Sequence, residues 1–190
     1  MSQELHDNLW VLIAGFILTT VAGGLLASIL QARLWRHQWK AERRVKFEEA
    51  ARAVFEDVSR LMDKRLFRLS QWRLWIARGD EPRIAIALED YRAVMREWND
   101  AINRTLSLLQ FYFGTAVREQ FDFGVGKHFV DAGAMVERLY RTLPDTDERL
   151  DAELIQAIER LRAEVYDYNL ALLKCMDQMQ RDSRPGLLSM

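Results

Sequence analysis

At 190 residues the chain has room for one membrane anchor and one domain of about 140 residues, enough for a sizeable core. Its prolines are Pro82, Pro144 and Pro185, and the long stretches between them, nearly free of Gly, favour helix throughout. The formal net charge of −1 conceals segregation: residues 1–30 hold only Glu4 and Asp7, residues 31–47 hold six cations against Glu42, and the remainder is mildly acidic. That balance argues for a membrane surface as the cation-seeking partner and against nucleic acid. Cys175 is the sole cysteine, so an intrachain disulfide is excluded.

Residues 1–8 read as a short extracytoplasmic N-terminus. Leu9–Leu30 follows as 22 residues without a charge, about 33 Å as a helix, which predicts a transmembrane span. A cleaved signal peptide would need a basic n-region, a shorter apolar core and an Ala-x-Ala-like site, none of which fits. Trp10 at one end, and Trp35 and Trp39 beyond the other, match an aromatic belt. The basic segment 31–47 (Arg33, Arg36, Lys40, Arg43, Arg44 and Lys46) lies wholly C-terminal to the span. The positive-inside rule then puts the rest of the chain in the cytoplasm, as in a bacterial inner-membrane protein with its N-terminus outside. Arg33, Arg36, Lys40 and Arg44 share one helical stripe, and with Arg43 they suit anionic lipid headgroups. Within the span, Gly15, Thr19, Gly23 and Ala27 recur every four residues. Such a small-residue stripe predicts helix association, so the expected partners are lipid and either a second copy or another membrane protein.

From about residue 48 the apolar pattern is periodic. The first helix carries Phe55, Met62, Leu69 and Ile76, widened by Val54, Val58, Leu61 and Trp72, and ends at Gly79. Asp80 caps the next helix, with Pro82 in its first turn. There Ile84, Leu88, Tyr91, Met95, Trp98, Ile102, Thr105, Leu109 and Tyr112 alternate four and three, until Gly114. A third helix, about 116–142, places Phe121, Val125, His128, Ala132, Met135 and Leu139 inward, with Gly124, Gly126 and Gly133 weakening it or permitting close packing. Leu143-Pro144-Asp145-Thr146 supplies turn and cap. The fourth helix, about 147–181, presents Leu150, Leu154, Leu161, Tyr168, Leu172, Cys175 and Met179 before Arg184-Pro185-Gly186 breaks it and leaves 183–190 as a tail.

The expected fold is therefore all-α: one N-terminal transmembrane helix, then an antiparallel up-down-up-down four-helix bundle of long, coiled-coil-like helices over 48–182. Its first helix either continues from the anchor, as a rod of about 105 Å, or breaks near Arg33–Arg44. Basic residues late in helix one (Lys64, Arg65, Arg68, Arg73, Arg78) face acidic ones opening helix four (Asp145, Asp147, Glu148, Asp151, Glu153). Counting through the loops sets Arg65 near Glu153 and Arg68 near Asp151.

No residue pattern points to catalysis. His128 falls on the apolar stripe of helix three without a carboxylate partner, which suits a core histidine rather than a ligand or proton carrier. Cys175 lacks a paired His and acid and reads as a small apolar filler. Trp72, Trp75 and Trp98 could wall a ligand pocket, though their helical spacing is also what a core requires. Arg65 and Thr105 are polar groups on core stripes, placed far apart by counting. Trp98, Asn99 and Asp100, with Asn103 one turn on, place amide and carboxylate groups on one face, which could meet a partner or merely be solvated. Paired catalytic carboxylates, a phosphate-binding Gly-rich loop and a Cys/His cluster are all missing, so no cofactor, metal or small-molecule ligand is expected. The reading these features suggest is a non-enzymatic, membrane-anchored and self-associating adaptor or accessory subunit. Its alternative is a signal- or ligand-responsive membrane effector, with an enzyme a distant third.

Overall fold

The computed structural model describes the backbone over residues 2–143 and 147–183, and side chains at 28, 31, 33–35, 38–143 and 147–181. The first helix, α1, spans Ser2–Arg78, and the chain divides into two compact units, 1–47 and 48–190.

In the first unit the side chains of Leu9–Leu30, apart from Ser28, lie outside the described residues, and with them the stripe Gly15, Thr19, Gly23 and Ala27; so does the side chain of Arg36. Among the described residues, no helix is long and apolar enough to cross a membrane. Arg33, Lys40, Arg43 and Arg44 are exposed, as are the large rings of Trp35 and Trp39. The Arg43 guanidinium sits 5.8 Å from the centre of the Trp39 ring, and Lys46 is engaged by Glu42 at 2.7 Å.

The second unit is all-helical. α1 gives way at Gly79, whose φ of +63° is left-handed backbone that glycine adopts without penalty. α2 (Glu81–Phe113) opens with the Arg83 N–H donating to the Asp80 carboxylate at 3.2 Å and ends at Gly114, where φ is +89°. Three consecutive helical stretches follow: α3 (Thr115–Glu119), a π-helical stretch (Gln120–Gly126) and α4 (Lys127–Arg141). α5 (Glu148–Ser183) begins where the N–H groups of Arg149 and Leu150 donate to Asp147 at 3.0 and 3.1 Å. Asp147 is thus the cap. Pro144, Asp145 and Thr146, expected to supply turn and cap, lie outside the described residues, as do Arg184, Pro185 and Gly186.

Side-chain pairs running in opposite chain directions make the helices antiparallel neighbours. α1 meets α2 through Arg65–Trp98 and Arg68–Asp90, and meets α5 through Ser59–Asn169 and Arg73–Asp151. Trp98 of α2 packs on Phe121 and Phe129, while Phe121 reaches Tyr168 of α5. The core runs along the bundle through Met62, Leu69 and Ile76, Tyr91 and Leu109, Val136 and Leu139, and Leu154, Leu161 and Leu172.

Three expectations need correction. Asp151 pairs with Arg73, through Nε at 2.7 Å, and not with Arg68, which turns to Asp90; Glu153 is taken by Arg149. The connections consume unequal numbers of residues, so the level of each helix shifts relative to a simple count. His128 and Met135 are displaced from the buried stripe by Phe129 and Val136. The inward residues Val117, Phe121, Val125 and Phe129 recur at fours without an intervening three, and i→i+5 bonding widens the turn enough to keep them on one face. Cys175 is half-buried at the edge of the core rather than within it.

Candidate functional site

Val58, Met62, Arg65, Leu69, Trp72 and Ile76 alternate four and three along α1, and all six side chains are buried. One of the six is a cation. Arg65 is only 1% exposed, and its Nε and Nη2 have no hydrogen-bond partner. Its guanidinium carbon lies 4.5 Å from the centre of the Trp98 ring and 4.7 Å from that of Phe129, so two aromatic rings flank the charge.

Each ring is held by its own neighbours. Trp98 stacks on Phe121 at 5.3 Å and 17°, and Phe121 packs against Tyr168, whose hydroxyl donates to the Val117 carbonyl at 3.3 Å. Phe129 reaches the charge because the π-helical stretch turns it inward in place of His128.

Cation–π attraction contributes about 2 kcal/mol at a desolvated site. Taking a charged group out of water costs several kcal/mol when no counter-ion answers it. The two rings therefore offset the burial of Arg65 only in part. Consistent with this, burial lowers the Arg65 pKa below its usual value, opposed by Tyr91. Burial correspondingly raises the Tyr91 hydroxyl, opposed by Arg65. Among the described residues, no carboxylate pairs with Arg65.

Arg65 also lines a cavity of about 460 Å³ between α1, α2 and α4. Trp72, Tyr91 and Tyr140 form an aromatic wall, with ring centres 5.4 Å (Trp72–Tyr91) and 6.0 Å (Trp72–Tyr140) apart. Leu88 and Met95 add apolar surface, and Gly133 leaves the room that the Tyr91 hydroxyl occupies. The buried Trp72 Nε1 is a further donor without a partner. Arg92, Glu137 and Arg141 stand at the exposed margin, where Arg141 pairs with Glu137 at 2.5 Å. A volume of this size, mostly apolar with a few convergent polar groups, has the character of a small-molecule site.

No known family model, curated protein or solved structure matches this chain.

The residues singled out from the sequence sort themselves around this cavity. Trp98 does not share an outward face with Asn99, Asp100 and Asn103: it is buried and flanks Arg65, while those three are exposed. Trp72 is both core and cavity wall, and Trp75 is half-buried, with Arg83 lying 4.4 Å from its ring centre. His128 does have a carboxylate partner, with Nδ1 2.5 Å from the Glu164 carboxylate, but both side chains are over a third exposed and lie away from the cavity. Thr105 is half-buried on α2 and is not among the residues lining the Arg65 cavity. What the sequence reading missed is the meaning of Arg65. The available sign was an arginine occupying a seam position between Met62 and Leu69.

Proposed function

We propose that this protein is a ligand-responsive helical bundle tethered to a membrane by its N-terminal segment. The observation that carries the ligand half is the buried, unpaired charge of Arg65 beside a cavity. A bundle serving only as a scaffold gains little stability from such a residue, since a hydrophobic side chain in its place is commonly neutral or stabilising. Support for the membrane half comes from the uncharged stretch Leu9–Leu30 and from the exposed cations and tryptophans of 31–47. In this reading the bundle is cytoplasmic, the stripe Gly15, Thr19, Gly23 and Ala27 associates copies of the anchor, and α1 carries both the collar and Arg65. The sequence alone made a small-molecule ligand only the alternative reading, and the buried Arg65 beside the cavity favours it.

Two measurements on the full-length chain test the proposal. In a Cys175→Ala background, a cysteine at Ser2 should react with impermeant maleimide in intact spheroplasts, whereas one at Ser183 should react only after lysis. In detergent, the melting temperature should rise with some members of a small-metabolite collection and not with the same members in Arg65→Met. Inverted labelling, or a protein that no metabolite stabilises, would remove the corresponding half.

A second reading, a membrane-anchored adaptor bound to another protein, is favoured by Phe67, Phe111 and Phe123, whose rings are all more than half exposed. Asn99, Asp100 and Asn103 belong to that reading as polar partner contacts. An adaptor would be stabilised by its protein partner and by no metabolite.

A further inference from the structure

We infer that the Arg65 cavity takes a small organic monoanion, with a carboxylate head and a flat apolar body. This rests on the ligand-responsive reading above and specifies its ligand.

The head group follows from which atoms lack partners. Nε and Nη2 form one edge of the guanidinium and present two parallel N–H groups, the arrangement a carboxylate accepts in bidentate fashion. A third buried and unpartnered group, Nε1 of Trp72, belongs to another residue of the cavity lining and is also a donor only. A neutral hydroxyl or amide would bring donors of its own to a site that supplies donors already. One buried cation balances one negative charge. A phosphate dianion would need a second cation, and those lining the cavity, Arg92 and Arg141, stand at its exposed margin, where Arg141 is already paired with Glu137.

The body follows from the walls. Trp72, Tyr91 and Tyr140 present ring faces and edges that suit a planar apolar group. The mouth sets a further condition. Arg65 is sealed from solvent, so the head reaches it only when a neighbouring side chain gives way. Met95, unbranched and half-buried, lines the same cavity and is a side chain that re-packs at small cost. Entry therefore rearranges the α1–α2 contact, which is what a ligand-responsive bundle requires.

The test uses full-length protein in detergent with three probes of matched shape: 3-phenylpropionate, its primary amide, and 3-phenylpropyl phosphate. Binding is read by tryptophan fluorescence and by melting temperature. The acid should bind at least tenfold more tightly than the amide or the phosphate. Arg65→Lys, which keeps the charge and loses the paired N–H edge, should weaken the acid at least tenfold. Arg65→Met should abolish its binding while melting no lower than the unaltered protein, so that loss of binding cannot be ascribed to unfolding. Tighter binding by the amide or the phosphate, dependent on Arg65, would overturn the carboxylate assignment and leave the ligand-responsive reading intact. Acid binding unchanged in Arg65→Met would overturn the site. Failure of all three probes to bind would count against both.

Discussion

The Tyr91 hydroxyl stands where a side chain on Gly133 would have to go: a Cβ built there lies 2.6 Å from the oxygen and 3.7 Å from the ring carbon that carries it. The approach that α4 makes to α2 beside the cavity therefore depends on a hydrogen at position 133. Gly133→Ala should destabilise the bundle by about 1–3 kcal/mol through overpacking. In a Tyr91→Phe background the same change should be nearly free, since the remaining 3.7 Å separation is ordinary contact. Denaturant unfolding of the four proteins measures this coupling, and equal effects of Gly133→Ala in both backgrounds would refute it.

Arg65 governs stability in the opposite direction from most core residues. Arg65→Met keeps an unbranched stem but ends short of the guanidinium; because it removes the unanswered charge, it should leave stability unchanged or raise it by up to about 4 kcal/mol. Arg65→Ala removes the packing of the stem as well and should destabilise. A marked loss of stability in Arg65→Met would mean that the two rings and Tyr91 satisfy the guanidinium fully.

The buried tyrosines give the bundle an alkaline limit. Burial raises the Tyr168 hydroxyl well above the ordinary value, and raises Tyr91 as well. An unfolded tyrosine releases its proton near pH 10. Below that pH both states hold the proton and the stabilisation is complete; above it only the unfolded state loses protons, so stability falls as pH rises. The expected slope is about 1.4 kcal/mol per pH unit for each linked tyrosine. Urea midpoints between pH 8 and 11 should fall beyond pH 10, and less steeply in Tyr168→Phe.

Positions 128 and 129 test the register of the third helical rod. His128→Gln removes a half-exposed pairing with Glu164 and should change stability by less than about 1 kcal/mol. Phe129→Ala removes a fully buried ring beside Arg65 and should cost about 3–5 kcal/mol. The reverse order would restore the stripe expected from heptad counting.

These two residues also mark where the sequence stopped being legible. The helix ends at Gly79 and Gly114, the Asp80 cap, and the inward faces of α1 and α5 follow from local chemistry: left-handed backbone, a capping carboxylate and a steady alternation of fours and threes. On α2 the stripe holds at Ile84, Tyr91, Trp98 and Leu109, while Ala87, Val94 and Phe113 are buried and Leu88, Met95, Ile102, Thr105 and Tyr112 are only partly so. The adjacency of α1 and α5 was legible in their opposite charges, but not its level, because Arg73 rather than Arg68 meets Asp151 only once the actual connections are known. The candidate site was legible only as its parts. Arg65 stood visibly on a core stripe. That its neighbours would be rings and not carboxylates depends on where Trp98 and Phe129 arrive, which is a matter of tertiary packing and not of spacing along one helix. The face named around Trp98 fails for a simple reason: adjacent helical residues point in directions about a quarter-turn or more apart.

The π-helical stretch has one more consequence. Upstream of Gln120 and downstream of Gly126 the chain is ordinary α-helix, but the two portions are out of phase, as text is after an inserted letter. A change of length confined to this stretch is therefore unlike one elsewhere in the rod. Removing a residue at Gly124, where an added Cβ would meet nothing within 4 Å, would let ordinary i→i+4 bonding close the gap while the Phe129 face stays inward. The same deletion five or six residues later would swing every following side chain of α4 away from its partners. The bundle thus contains one place inside a helix that absorbs a change of length as a loop does.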